Sequence, residues 1–187
     1  MKILYLEHPE ADYGSYYLYN GLCEFLGEDN IVSYPAKLSY LGLCDKYYTL
    51  DDGKRGCTHM PSYLKPRNNK IWTLEEIFSQ METFDAMILS SPRTYAIRAL
   101  KFIKKYYDKK LPKLIFCDHE DSEQLRKDII DEFNPDIIFK REMFRPMQYV
   151  HKTIYPLPFS STLIMSFLNA TLINLTIFTI LSFLLIS

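Results

Sequence analysis

Lys113-Leu114-Ile115-Phe116-Cys117, followed by Asp118-His119-Glu120-Asp121, is the stretch on which the fold turns. An unbroken apolar run that ends in a polar cluster fits a strand buried on both faces, which is the habit of parallel sheets; half-wet antiparallel strands alternate instead. Beyond it, Leu125, Ile129, Ile130 and Phe133 recur at helical spacing, with Asp121 and Gln124 placed as a reciprocal capping pair. Asp136 to Phe139 is apolar again and closes in Lys140-Arg141-Glu142. One strand, one helix and one strand are thus expected within about thirty residues, as in a βαβ unit.

The same alternation extends upstream. Ile3 to Leu6 reads as a first strand ending in Glu7-His8-Pro9, and Ser15 to Leu26 as a helix stopped by Gly27. Ile31 to Pro35 is a second strand. Thr73-Leu74-Glu75-Glu76 carries the capping-box pattern at the start of a helix running to about Met81. Asp85 to Leu89 is a third strand, closed by Ser90-Ser91-Pro92-Arg93, and Tyr95 to Tyr107 forms a helix with Ala96, Ala99, Leu100 and Ile103 on one face. Between them, positions 36–70 lose periodicity and form a long loop or insertion. The expected class is α/β: a single Rossmann-like domain over residues 1–160, with a mostly parallel sheet of about five strands.

Composition narrows the function. With 22 Lys plus Arg against 23 Asp plus Glu, the net charge of -1 supplies no basic field for a phosphate backbone, so no nucleic-acid partner is expected. Hydrophobic residues at 48% rule out disorder over most of the 187 positions. The four cysteines lie far apart without zinc-finger spacing, and neither a metal nor a cofactor is expected. Charge is also unevenly distributed. After Lys152 no charged residue or histidine follows, and Leu163 to Ile186 is an uncharged run. As a helix it would extend about 36 Å, more than the roughly 30 Å of a bilayer core. Residues 162–187 are therefore read as a single transmembrane helix, with Arg145, His151 and Lys152 keeping the folded part cytoplasmic.

The polar clusters stand at the C-terminal ends of the expected strands, the edge where open α/β sheets bind ligands. Polar residues there are also what contact with solvent alone would select. Asp12, Ser91, Arg93, His119, Glu120, Lys140 and Arg141 are the candidate ligand contacts, with no catalyst assigned. A mixed rim of acids and cations suits a polyhydroxylated or phosphorylated ligand. His119 between acids is placed to be a base, although an exposed loop histidine is the more ordinary reading, and Asp118 to Asp121 read as negative charge at a helix N-terminus. Gly14 lacks the companions of a dinucleotide loop or P-loop. Ser91 lacks the flanking glycines of a nucleophile elbow, and Ser90-Ser91 stand where a phosphoacceptor receiver needs aspartate.

Asp12-Tyr13-Gly14-Ser15-Tyr16-Tyr17-Leu18-Tyr19-Asn20-Gly21-Leu22, Ser90-Ser91-Pro92-Arg93, the block from Asp118-His119-Glu120-Asp121 to Phe139-Lys140-Arg141-Glu142, and Tyr155-Pro156-Leu157-Pro158-Phe159 together resemble the N-terminal half of glycosyltransferase-like proteins related to the spore-maturation CgeB group. The resemblance covers about residues 1–160. It implies a GT-B architecture, in which the N-terminal Rossmann-like domain holds mainly the acceptor and a second domain the nucleotide-sugar. After Phe159 the family pattern would continue into that second domain, whereas this chain turns apolar. The expectation is an acceptor-side half, membrane-anchored through residues 163–186, that binds a sugar or glycan acceptor. Without a separate donor-binding domain it is not expected to turn over, since transfer needs both substrates in register. The alternative is a noncatalytic membrane-tethered module that engages a protein partner through Tyr40, Tyr47, Tyr48 and Tyr63.

Overall fold

The computed structural model describes residues 1–8, 13–36, 70–120, 122, 124–141, 146–149, 151–156 and 182. Seven strands form one sheet: β1 (Ile3–Leu6), β2 (Ile31–Tyr34), β3 (Ala86–Leu89), β4 (Lys113–Asp118), β5 (Ile137–Lys140), β6 (Met147–Tyr149) and β7 (Lys152–Pro156). Their order is β2-β1-β3-β4-β5-β7-β6, and every neighbouring pair is parallel except β6 with β7. The α/β class and the mostly parallel sheet therefore stand, with seven strands in place of about five. The two additional strands are a C-terminal pair. β7 extends the parallel sheet beside β5, and β6 turns back against it around His151, whose φ of 64° suits the tight reversal.

Handedness decides which face each helix covers. The α-helices whose bounds lie among the described residues are α1 (Tyr13–Leu26), α2 (Leu74–Gln80), α3 (Thr94–Tyr106) and α4 (Lys127–Phe133). Going from β1 to β2 the chain moves one way along the sheet, and from β2 through β3, β4 and β5 it moves the other. Right-handed crossovers then require α1 on one face and the remaining helices on the opposite one. The two cores follow that rule. Tyr16, Leu18, Tyr19, Leu22 and Cys23 of α1 pack with Ile3, Tyr5, Ile88, Ile115, Cys117 and Phe139. Ile77, Ala96, Leu100, Ile103, Ile129 and Phe133 pack with Leu4, Leu6, Met87, Leu89 and Phe116 on the other side. Desolvation in the first core pushes the Cys117 thiol well above its ordinary range, leaving it protonated and unreactive.

Local chemistry fixes the helix starts. At α2 the Thr73 hydroxyl accepts from the Glu76 amide at 3.2 Å while the Glu76 carboxylate accepts from the Thr73 amide at 3.0 Å, completing the expected capping box. α4 departs from expectation, because it begins at Lys127 rather than near residue 121. The approach to it is taken up by short local bonds, Ser122 N to Glu120 O at 2.8 Å, Gln124 N to Ser122 Oγ at 3.1 Å and Lys127 N to Leu125 O at 2.9 Å.

The transmembrane helix is a correction. No helix among the described residues is long and apolar enough to cross a membrane. The longest of the four has 14 residues, about 21 Å, and α3 carries Lys101, Lys104 and Lys105. The apolar run 163–186 lies outside the described residues except for Ser182, as do most of the long loop, at 37–69, and the four tyrosines assigned to a partner.

Core and cap differ in weight. Phe116 is 1% exposed between sheet and helices, and Phe116→Ala is expected to cost about 3–5 kcal/mol through lost burial and the cavity it leaves. Thr73→Ala removes one capping acceptor and is expected to cost about 1 kcal/mol. Urea unfolding followed by far-UV circular dichroism measures both.

Candidate functional site

Strand order reverses between β1 and β3, which makes their C-terminal ends the topological switch point of the sheet. Glu7 and His8 follow β1 there, Ser90 and Ser91 follow β3, and α1 starts directly above. Glu7 is fully buried. Its two carboxylate oxygens accept from the Ser33 hydroxyl and, at 3.2 Å, from the Ser15 hydroxyl. Ser15 Oγ also lies 3.0 Å from Ser90 Oγ, and Ser90 donates to the Leu6 carbonyl through its amide at 2.9 Å and its hydroxyl at 3.1 Å. The Tyr5 hydroxyl donates to the Ser15 carbonyl at 2.8 Å. Burial, reinforced by the Glu7 charge, raises the Tyr5 pKa well above its ordinary value, so the phenol remains a donor at any working pH. Charge and hydroxyl together tie the ends of β1, β2 and β3 to the first turn of α1.

A second buried set closes β4 and β5. Their register places Asp118 directly beside Lys140, and the Lys140 ammonium donates to Asp118 Oδ2 at 2.9 Å with both side chains at most 2% exposed. The other Asp118 oxygen, Oδ1, accepts from the Glu120 amide at 3.1 Å. Two charges taken out of water are tolerable only when paired and hydrogen-bonded in this way. Asp118 thus serves the sheet and not a helix N-terminus. His119 is buried at 4% exposure, not an exposed loop residue. Its ring lies against α1: a Cβ added at Gly14 would come within 2.7 Å of His119 Cγ and 2.8 Å of Nδ1. Gly14 is needed for this close approach, a role that its isolation in the sequence does not reveal.

The candidate contacts therefore fall into two groups. Ser91, His119 and Lys140 are buried and form the inner wall, while Arg93 is exposed and Glu120 and Arg141 are half-buried at the lip. Ser91 Oγ has no hydrogen-bond partner among the described residues. Asp12 lies outside them. Arg126 is an addition that the sequence reading missed. Its guanidinium grips both Asp128 oxygens, at 3.0 and 2.8 Å, and reaches the Pro92 carbonyl at 3.3 Å and Glu120 Oε2 at 3.5 Å. It thereby joins the loops after β3 and β4, and its hydrogen bonds hold the Asp128 carboxyl below the usual range. The available signal was an arginine two residues before an acid at a helix start, which is common on any surface.

At the opposite edge a depression of about 500 Å³ is lined by Phe84, Asp85, Leu111, Lys113 and Asp136. Two of its carboxylates serve the fold, since Asp85 accepts from the Lys2 amide and Asp136 from the Leu114 amide, each at 2.7 Å, and a third, Glu82, is paired with Lys109. Among the described residues no cluster of His, Cys, Asp and Glu could hold a metal ion. Comparison with protein-family models, curated proteins and solved structures gave no match.

The contact between Gly14 and His119 can be tested by paired substitution. Gly14→Ala is expected to destabilise the chain by about 1–3 kcal/mol through overpacking, and His119→Ala in the same chain to restore most of that loss. Thermal melts of the two single variants and the double variant measure the recovery.

Proposed function

We propose that this chain is the acceptor-side half of a GT-B-like glycosyltransferase, binding the sugar or glycan acceptor at the C-terminal edge of its sheet. The observation that carries the reading is the convergence of polar groups from the ends of β1, β3, β4 and β5 on one edge, beside the switch point between β1 and β3. A parallel sheet with that strand order offers a crevice there. The buried hydroxyls, the Glu7 carboxylate and the Asp118–Lys140 pair form a fixed inner wall. Arg93, Glu120 and Arg141 stand at its lip, with charged donors and acceptors of the kind that grip vicinal hydroxyls.

In such a division of labour the sheet described here orients one reactant, and a donor-binding domain brings the activated sugar to it. Orientation is a large part of what an enzyme does for group transfer, because it converts an encounter of two molecules into a reaction within one complex. The wall suits that task, since its polar side chains are already ordered by one another before a ligand arrives.

Saturation-transfer NMR on the full chain with methyl pyranosides, N-acetylglucosamine and UDP-sugars tests the proposal. The expected result is binding of a simple glycoside that weakens about tenfold in Arg93→Ala and in Glu120→Ala, the loss typical of one charge-assisted hydrogen bond. Lys113→Ala at the opposite edge is expected to leave it unchanged. A folded chain that binds no sugar, or whose binding responds only to Lys113→Ala, would overturn the assignment.

A further inference from the structure

We infer that Tyr95 is the stacking platform of the rim, taking the apolar C–H face of a pyranose ring; this rests on the acceptor-site reading above. Tyr95 is the second residue of α3 and follows Ser91 and Arg93 out of the β3 end. It is 51% exposed and stands with Arg93 at the lip, outside the buried inner wall of Ser91, His119 and Lys140. The buried His8 ring holds it from behind. The two ring centres are 5.2 Å apart and the planes inclined at 76°, an edge-to-face contact that fixes the orientation of the tyrosine while leaving half of its surface to solvent. His8 follows β1 and Tyr95 follows β3, so the pair straddles the switch point itself.

The neighbouring groups complete the chemistry of a sugar subsite. Arg126 Nη1 donates to the Pro92 carbonyl, three residues before Tyr95, and lies 3.5 Å from Glu120 Oε2. A guanidinium and a carboxylate are thereby brought to the same loop as the exposed ring. A pyranose has one face of C–H groups and a girdle of hydroxyls. An aromatic plane takes the former, and planar charged side chains take the latter. Among the other exposed aromatics, Phe25 stands at the far end of α1, and Phe102 and Tyr106 lie further along α3, away from these polar partners.

The test compares wild type, Tyr95→Phe, Tyr95→Leu and Tyr95→Ala by titration with methyl β-glucopyranoside, methyl β-galactopyranoside, N-acetylglucosamine and uridine, with thermal melts confirming the fold. Tyr95→Phe is expected to bind within about twofold of wild type, and Tyr95→Leu and Tyr95→Ala about tenfold more weakly, since aromatic stacking is what they lose. In wild type, irradiating the aromatic protein resonances is expected to saturate the C–H protons of one sugar face, a readout that survives even if Tyr95→Ala does not fold. Sugar binding by wild type that is equal in Tyr95→Leu, or saturation spread evenly over both sugar faces, would overturn the platform while leaving the acceptor site intact. Absence of sugar binding in wild type, or binding of uridine alone, would overturn both.

Discussion

Lys140 and Asp118 meet at 2.9 Å with almost no access to water, and the C-terminal edge of the sheet depends on that meeting. Burying either charge alone would cost several kcal/mol. The pair is admissible only because β4 and β5 are parallel and in a register that sets Asp118 opposite Lys140. The register also lets the Arg141 amide donate to the Asp118 carbonyl at 3.0 Å, carrying the ladder one residue further toward the rim. A slip of one residue would turn Lys140 toward the other face and leave a carboxylate stranded. The pair therefore selects one alignment of the strands that carry His119, Glu120 and Arg141.

On the other side of the switch point, hydroxyl groups take the place of the cation. Glu7 is met by Ser33 from β2 and Ser15 from α1, and Ser90 links this group to the end of β3. The two buried networks together span the ends of five strands. Each fixes side chains that a ligand would otherwise have to order on arrival, which is the physical content of a preorganised edge. Arg126 does similar work outside the core, bridging the loops after β3 and β4 to the start of α4.

Much of the sheet was legible because parallel strands are buried on both faces. Ile3 to Leu6, Ala86 to Leu89 and Leu114 to Cys117 are continuous apolar runs, and each is a strand. The Thr73 and Glu76 pattern was equally direct, since a capping box is a local device. The C-terminal strand pair was not legible: β6 has three residues, all at least partly exposed, and β7 contains a lysine and a proline. Asp121 and Gln124 resembled a cap; Asp121 lies outside the described residues, and the helix starts at Lys127, after local bonds made by Ser122, Gln124 and Leu125. At the site, the positions of the candidates followed from the strand ends, whereas their burial did not. Lys140 reads as a surface cation until register places it beside Asp118, and Gly14 reads as an isolated glycine until the His119 ring is set against it. Such contacts join residues far apart in the chain, which no local pattern encodes.

A double-mutant cycle at the buried pair tests most directly whether it holds the edge. The account predicts that Asp118→Leu and Lys140→Met each cost about 3–5 kcal/mol in urea unfolding, because each strands its partner's charge, and that the double variant recovers most of the loss. Single losses below about 1 kcal/mol that simply add in the double variant would contradict it.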